Sequence, residues 1–310
     1  MKQVYQQSKT ALGSKVHLTL SSDEKSLAIE RVFSELWQEI DEFNRRFSRF
    51  RLDSEITQLN QKAGKTIIIS PAFHDLLVIS QKMSVATDGM FNPFILPALQ
   101  RVGYIKSWIP TAATADPPDY SDRQVVDALN LKLTATTARI PANSAIDLGG
   151  CGKGYLLDQL GDYLSRSKIN DYWLSLGGDI LARGSQPDGH PWTVSIANAL
   201  HPSQTLARVI IPTDKPLAIA TSGITKRQGR YNGSAWHHII SSESGEPART
   251  DILTATVCMS TGLLADVYAS CLVALGSGHY QGFADQHIIS DVLVQTQTDI
   301  DVKGQRIVLE

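Results

Sequence analysis

Residues 147–155 read DLGGCGKGY, a cluster of glycines that leads into an apolar helical pattern. Glycine lets the backbone approach a ligand closely, and the free amides at the start of a helix favour a phosphate group. Two familiar phosphate motifs do not match, because Tyr155 stands where the dinucleotide fingerprint needs glycine and Gly154 where the Walker pattern needs serine or threonine. The stretch therefore favours neither a Rossmann fold nor an NTPase. It predicts either a plain tight turn or a binding site flanked by Asp147 and Lys153.

Hydrophobic periodicity on both sides of this cluster predicts helices and strands that are mixed without strict alternation. Helices are predicted at 22–49 with Ser22 as cap, at 70–89 with Ser70 as cap, from 152 onward, and at Gly262–Leu275, which is apolar on nearly all sides. Strands are predicted at 16–20, 172–176, 180–182, 193–196, 207–211 and 217–221. This order favours an α+β fold over a doubly wound sheet.

The composition of the 310 residues excludes several classes of protein. With 42% hydrophobic and 19% charged residues the chain has the make-up of a folded protein, and its formal charge of -2 argues against nucleic acid or an anionic membrane as partner. The sequence contains no stretch of about 18 apolar residues, so no membrane-spanning helix is predicted. The three widely spaced cysteines are expected to be buried small hydrophobes: Cys151, Cys258 and Cys271.

The beginning and one internal segment carry further expectations. The first twenty residues show no export signal, so a cytoplasmic location is expected for the chain as written, and a periplasmic or cell-envelope location if a leader was removed. Segment 110–121 reads PTAATADPPDYS, and its proline and small residues predict an exposed linker or excursion.

Polar residues in two other segments are candidates for chemistry. His237 and His238 lie in a strand-like run, so only one of them can face a site, and a buried hydrogen-bonded histidine is the alternative. Asp266 and Ser270 lie one turn apart on the apolar helix, where an unpaired carboxylate would cost several kcal/mol. Their oxygens suit Mg²⁺ that takes its other ligands from a phosphorylated substrate, while an ion pair with Lys or Arg is the alternative.

Taken in order, the motifs of this chain resemble those of the ApbE-type FAD:protein FMN transferases. The resemblance spans about residues 11–276, and its members are LGS at 12–14, FSRF at 47–50, DSE at 53–55, LN at 59–60, TDGMFNP at 87–93, the segment 147–158, LGGD at 176–179, TSG at 221–223, HII at 238–240, AD at 265–266 and Ser270.

This resemblance implies a single domain over 1–310, with mixed sheets and flanking helices in two lobes around a flavin-binding cleft. The cleft would be lined by the loops 89–93, 147–154, 176–179, 221–223 and 237–242. The implied reaction is Mg²⁺-dependent transfer of FMN from FAD to a threonine hydroxyl of a target flavoprotein, with release of AMP. Some relatives instead hydrolyse FAD to FMN and AMP.

The resemblance also assigns residues to the site. It implies flavin and ribityl contacts at Leu12, Phe50, Met90, Phe91 and Asn92, the adenosine-diphosphate side at Asp147 and Lys153, the Ile240 backbone nearby, and Mg²⁺ ligands at the Gly150 carbonyl, Asp266 and Ser270. His238 is a candidate general base for the incoming hydroxyl. The chain departs from the family at Asn92 and Ser241, where an acidic residue is usual. A transferase, an FAD pyrophosphatase and a catalytically silent FAD-binding protein therefore all stay open.

Overall fold

The computed structural model describes residues 2–110, 114–231 and 233–310. The α-helices are α1 (Ser26–Phe47), α2 (Glu55–Gln61), α3 (Pro71–Ala86), α4 (Leu96–Arg101), α5 (Gly152–Arg166), α6 (Gly262–Leu275) and α7 (Tyr280–Gln286), and short 3₁₀ helices cover Pro93–Ile95 and Ala128–Asn130. The strands are β1 (Gln3–Ala11), β2 (Ser14–Ser22), β3 (Ile67–Ile68), β4 (Lys132–Thr134), β5 (Thr137–Arg139), β6 (Tyr172–Leu176), β7 (Asp179–Arg183), β8 (Thr193–Ala197), β9 (Thr205–Ile210), β10 (Leu217–Gly223), β11 (Gln228–Tyr231), β12 (Ser234–His237), β13 (Thr254–Met259), β14 (Asp291–Gln295), β15 (Ile300–Lys303) and β16 (Ile307–Leu309).

The chain forms two compact units, and unit 1 comprises Met1–Asp41, Lys153–Gly223 and Thr250–Glu310. Its main sheet has the order β1-β2-β6-β7-β10-β13-β14-β15, and each neighbouring pair is antiparallel. Helix α6 packs on β10 and β13, and most of its side chains are buried, as its apolar sequence predicts. A second sheet, β16-β9-β8, contributes to a core that includes Trp192 and Val209.

Unit 2 comprises Glu42–Gly152 and Ile224–Arg249. It contains α2, α3 and α4, the small antiparallel sheet β3-β5-β4, and the hairpin of β11 and β12. Phe73 and Phe94 are completely buried in this unit, and the rings of Phe47 and Phe73 stack 5.4 Å apart. This core supports the loops that precede and follow α4.

The mixed α+β class is confirmed, and so are several individual elements. Helix α6 has the predicted bounds, α5 begins at Gly152, and Ser70 caps α3 by accepting the backbone N–H of Phe73. The three cysteines are buried and free of disulfides. None of the helices in the described parts of the chain is both long enough and apolar enough to cross a bilayer. The prediction of one domain over 1–310 stays a prediction.

The predicted start of the first helix is wrong. Ser22 does not cap α1, which begins at Ser26, because β2 continues through Ser22 and pairs there with Gln3 of β1. The Ser22 hydroxyl accepts the backbone N–H of Glu24 instead, in the turn between strand and helix. The helix also ends two residues earlier than predicted, at Phe47.

Segment 110–121, predicted to be an exposed linker or excursion, contacts unit 2 where it is described. Residues 111–113 lie outside the described residues, and the remainder is part of unit 2. Ala115 donates its backbone N–H to the Phe50 carbonyl at 2.8 Å, and Tyr120 is only 3% exposed. The Gln100 amide donates to the Pro118 carbonyl at 2.8 Å. These contacts attach the proline-rich segment to its own unit.

Candidate functional site

Helices α5 and α6 cross at a pair of glycines in unit 1. A Cβ placed on Gly154 would lie 2.2 Å from the Gly262 carbonyl oxygen, and one placed on Gly262 would lie 2.6 Å from the Gly154 carbonyl oxygen. Real Cβ atoms essentially never make contacts under 3.0 Å. The two backbones therefore touch here, which places the first turn of α5 beside the first turns of α6.

Asp266 is a buried carboxylate next to this crossing. Its Oδ2 accepts the backbone N–H of Gly154 at 3.2 Å, and the Lys153 ammonium lies 3.4 Å from Oδ2 and 3.5 Å from Oδ1. Lys153 also forms an ion pair with Asp179, which is 5% exposed. We call Lys153, Asp179 and Asp266 the Asp266 cluster. Lys153 thus supplies the cationic partner considered for Asp266, and two carboxylates with one ammonium leave a formal charge of −1.

The hydroxyl of Ser270 lies one turn further along α6. It donates to the Asp266 backbone carbonyl at 3.2 Å, and it is 2.9 Å from the hydroxyl of Ser222 at the end of β10. Among the described residues, no group of three or more His, Cys, Asp and Glu side chains could hold a metal. Carboxylate and hydroxyl oxygens nevertheless fit Mg²⁺, because this ion commonly takes only one or two carboxylates and completes its shell with water and phosphate.

Asp158 is a site-supporting residue that the sequence analysis did not single out. It lies on α5, and its two carboxylate oxygens accept the first backbone N–H groups of α6, from Gly262 at 2.6 Å and Leu263 at 3.0 Å. Burial raises the pKa of Asp158 to about 6, against the lowering effect of these two donors. Asp158 therefore fixes the start of the helix that carries Asp266.

Among the predicted flavin contacts, Leu12 is the one that lies in unit 1. It is half-buried and occupies the tight turn between β1 and β2, with φ of 55° followed by 64° at Gly13. Two consecutive positive φ angles are those of a type I′ hairpin turn, in which a leucine is uncommon and mildly strained. The turn therefore holds the Leu12 side chain in a defined place.

In unit 2, Thr87 organises the loop that contains three predicted flavin contacts. Its buried hydroxyl donates to the Met83 carbonyl at the end of α3 and accepts the backbone N–H of Phe91. Met90 is half-buried and Phe91 is 8% exposed. Both polar atoms of the Asn92 amide have partners within unit 2, since Oδ1 accepts from Phe94 N and Nδ2 donates to the Val126 carbonyl, both at 2.9 Å.

The loop around Asp147 lies next to this segment. The backbone N–H of Asp147 donates to the Pro93 carbonyl at 2.8 Å, and a Cβ on Gly150 would lie 3.4 Å from the ring of Phe91. Asn60, which belongs to the motif LN at 59–60, exchanges two hydrogen bonds with the backbone of Ile146. The predicted loops 89–93 and 147–152 are thus brought together within unit 2.

Arg49 connects Asp147 to an aromatic cluster. Its Nε lies 2.9 Å from Asp147 Oδ2, and Nη2 donates to the Tyr104 carbonyl at 3.1 Å. The guanidinium carbon lies 4.3 Å from the centre of the Phe50 ring and 4.7 Å from that of Tyr104. We call Arg49, Phe50, Tyr104 and Asp147 the Arg49 cluster. Arg49 belongs to the motif FSRF at 47–50, but no sequence pattern indicated a role for it. No pattern indicated Tyr104 either.

His238 lies beside the same cluster, with its ring centre 6.3 Å from that of Tyr104. Its Nδ1 is 3.3 Å from the Arg227 carbonyl oxygen, which can only accept, so Nδ1 carries the proton. The other ring nitrogen of a neutral His238 is then a proton acceptor. In the neighbouring His237, burial lowers the pKa. Ile240 is 6% exposed and packs its side chain on α4, so only its backbone is available for the predicted contact.

The predicted site residues thus divide between the two units. Unit 1 holds Leu12, Lys153, Asp266 and Ser270, and unit 2 holds Phe50, Met90, Phe91, Asn92, Asp147, Gly150, His238 and Ile240. Each unit brings its own predicted loops together: 153–154 with 176–179 and 221–223 with α6 in unit 1, and 89–93 with 147–152 in unit 2. The shared cleft and the ligand assignments stay predictions.

In unit 1, an antiparallel sheet packs with helices that bring the half-buried Lys153 of α5 next to the buried carboxylates of Asp179 on β7 and Asp266 on α6. These features define an α+β protein with a charged, oxygen-rich polar site. The sequence comparisons make this class specific. The model of the ApbE family matches residues 12–293, and the chain belongs to that family.

Two relatives are named FAD:protein FMN transferase. The FAD:protein FMN transferase of Klebsiella pneumoniae is 26% identical over 280 residues, which are 88% of this chain and 83% of the relative. The FAD:protein FMN transferase of Vibrio cholerae is 26% identical over 263 residues, or 84% of this chain and 78% of the relative.

Solved structures share the fold. The ApbE protein of Thermotoga maritima superposes with a TM-score of 0.82 at 19% identity, covering 97% of each chain. The apo form of the flavinyl transferase ApbE from Pseudomonas stutzeri gives a TM-score of 0.81 at 20% identity, covering 97% of this chain and 95% of the other. The predicted ApbE-like α+β fold is therefore confirmed.

Proposed function

We propose that this chain is a Mg²⁺-dependent FAD:protein FMN transferase, which moves FMN from FAD to a threonine hydroxyl of a target flavoprotein and releases AMP. The observation that carries the proposal is the match of the ApbE family model to residues 12–293. In the reaction, the hydroxyl oxygen forms a bond to the phosphorus of the FMN half, and the bond from that phosphorus to the bridging oxygen breaks. AMP leaves with the bridging oxygen, and the hydroxyl proton passes to a base.

The Asp266 cluster supports binding of a pyrophosphate together with a cation. Asp266 and Ser270 would hold Mg²⁺, with the Gly150 carbonyl as the third predicted ligand, and the ion would neutralise charge that develops on the leaving AMP. Lys153, the predicted phosphate contact, brings a positive charge next to the same carboxylate. Asp179 orients Lys153 through their ion pair.

His238 is the residue we propose to accept the proton of the incoming hydroxyl. The Arg227 carbonyl oxygen accepts a proton carried on Nδ1, and in that tautomer Nε2 holds the lone pair that would take the hydroxyl proton. Replacement of His238 by glutamine would keep a donor to that carbonyl at best and lose the base. We expect a fall of about 10²–10⁴-fold in turnover with unchanged affinity for FAD.

Asn92 is the specific reason to keep a second candidate function, the binding of FAD without turnover. The family usually has an acidic residue there, whereas the Asn92 amide is engaged in two local hydrogen bonds. Hydrolysis of FAD to FMN and AMP differs from transfer only in the nucleophile, with water in place of threonine.

One experiment separates the three activities. Purified protein is incubated with FAD and Mg²⁺, with and without a flavoprotein that carries the acceptor threonine. A covalently yellow target with AMP released in equal amount supports transfer, and AMP without target supports hydrolysis. Bound FAD with neither product supports the silent binder. Failure to bind FAD at all would refute the proposed function.

A further inference from the structure

The guanidinium of Arg49 is buried but not fully used. The residue is 5% exposed, and its Nη1 is a buried donor without an acceptor among the described residues. Its Nε and Nη2 have the partners Asp147 and the Tyr104 carbonyl. A buried donor without a partner costs about 1–3 kcal/mol, so such atoms are rare unless something else binds them.

The surroundings of Nη1 indicate what kind of acceptor would suit it. Asp147 already balances the positive charge of Arg49, so the pair as a whole is neutral. An anion such as a phosphate would gain little from a guanidinium whose charge is already paired. A neutral carbonyl oxygen on a planar ring needs no net positive charge and can accept the free N–H.

The half-buried aromatic rings of the Arg49 cluster favour a planar ligand. Phe50 and Tyr104 flank the guanidinium, and Trp236 stacks on Tyr104 with ring centres 5.8 Å apart and an interplanar angle of 24°. Aromatic faces bind flat apolar rings by offset stacking. Of the two ends of an isoalloxazine, only the pyrimidine end carries carbonyl oxygens.

We propose that Arg49 is a further binding residue, whose Nη1 donates a hydrogen bond to a pyrimidine carbonyl oxygen of the flavin ring. This inference rests on the proposed function, because it takes FAD as the ligand. Arg49 thereby distinguishes the flavin half of FAD from the adenosine-diphosphate half. Asp147, which the resemblance assigns to the adenosine-diphosphate side, orients Arg49 through their ion pair.

The test compares affinities for FAD and for ADP in the presence of Mg²⁺. Arg49→Lys keeps a cation for Asp147 but cannot present a donor at the place of Nη1. We expect this variant to bind FAD about tenfold more weakly, equivalent to about 1.4 kcal/mol at 25 °C, with its affinity for ADP unchanged. The visible absorption bands of bound FAD should also shift relative to wild type, since one ring hydrogen bond is lost.

Arg123→Lys is the matched control in the same unit. Arg123 also lies over an aromatic ring, that of Tyr120 at 4.3 Å, but its Nη1 donates to the carbonyls of Asn60 and Ser144. This substitution should leave both affinities and the FAD spectrum unchanged. If Arg49→Lys does not fold, the double substitution Arg49→Gln with Asp147→Asn removes the guanidinium without leaving a buried carboxylate alone. Because Asp147 is a predicted adenosine-diphosphate contact, this variant is compared with Asp147→Asn alone, and an FAD affinity no weaker than that of the single variant overturns the proposal.

The affinities of Arg49→Lys for FAD and for ADP decide the role of Arg49. Weaker FAD binding with unchanged ADP binding supports the role of Arg49. Unchanged FAD binding overturns it, and so does a parallel loss for ADP, which would place Arg49 at the phosphates. A wild-type protein that binds no FAD overturns the proposed function itself, whereas a wild-type protein that transfers FMN while Arg49→Lys binds FAD normally overturns this inference alone.

Discussion

Replacing Gly154 by alanine tests the close crossing of α5 and α6 that positions Asp266. The new Cβ would lie 2.2 Å from the Gly262 carbonyl oxygen, 2.5 Å from its carbonyl carbon and 2.8 Å from the Leu263 Cα. These are backbone atoms, so no side-chain rotation relieves the clash and the helices must move apart. Overpacking of this kind costs about 1–3 kcal/mol and occasionally more. Alanine recovers about 0.5–1 kcal/mol in a helix, so we expect a net loss of about 1–2 kcal/mol.

Gly282→Ala is the matched control, because Gly282 lies in α7 and nothing is within 4 Å of its added Cβ. This variant should gain about 0.5–1 kcal/mol. Thermal or urea unfolding of both variants measures the difference, which corresponds to about 2–4 °C in Tm per kcal/mol for a protein of moderate size.

A functional readout separates a general loss of stability from a local displacement. Because the Gly154 N–H donates to Asp266, moving the helices apart should also weaken binding of Mg²⁺ with FAD, whereas Gly282→Ala should leave it unchanged. A Gly154→Ala protein as stable as Gly282→Ala, with undiminished metal affinity, would show that the helices are not in tight contact and would refute the reasoning.

Three further predictions concern charges and donors. The pKa of Asp158 is about 6, above its ordinary 3.8, so the folded protein binds this proton more tightly than the unfolded chain does. The stability advantage of wild type over Asp158→Asn should therefore be largest near pH 4 and fall as the pH rises through about 6. A difference in the free energy of unfolding that does not vary with pH in chemical denaturation would contradict this. Asp266→Asn should abolish Mg²⁺-dependent turnover but lower the free energy of unfolding by less than about 2 kcal/mol, because Lys153 keeps its ion pair with Asp179. Lys153→Met leaves two buried carboxylates without their cation and should lower the free energy of unfolding by about 3 kcal/mol or more in urea. The reverse order of stabilities would contradict the pairing. Asn92→Asp, which restores the usual family residue, should lose about 1–3 kcal/mol because a carboxylate would face the carbonyl to which the amide donates, and an equal or higher Tm would contradict this.

Local patterns explain which elements the sequence predicted. Ser70 followed by proline is a start signal that depends on neighbouring residues alone, and the apolar run of α6 needs no partner to be read as a buried helix. The prediction for the start of α1 was wrong because a long-range contact overrides the local signal. Ser22 with the acidic residues after it resembles a cap, but pairing of Ser22 with Gln3 on β1 extends the strand past it. Strand β1 itself is a largely exposed edge strand, so its sequence has no apolar alternation to detect.

Partners far apart in the chain explain what could not be predicted in the site. Lys153 and Asp266 were singled out separately, but no sequence pattern joins Lys153 to Asp179, which stands in the chain only as the last residue of a glycine turn. Arg49 and Asp147 form a similar long-range pair. Such pairs depend on how the sheet and helices pack, and spacing along the chain carries no information about them.

Two glycines of the cluster at 147–155 are required for reasons other than a tight turn. Gly149 is not among the glycines with positive φ, so the turn does not need glycine there to reach the left-handed region. An added Cβ would lie 2.8 Å from Asp147 Oδ1, which accepts the Gly149 N–H. Gly154 is helical, and its constraint comes from Gly262 on another element. One glycine therefore protects the carboxylate paired with Arg49, and the other lets the carboxylate of Asp266 reach a backbone amide. A single sequence motif thus sets the position of one buried acid in each unit, which is a stronger requirement than a tight turn imposes.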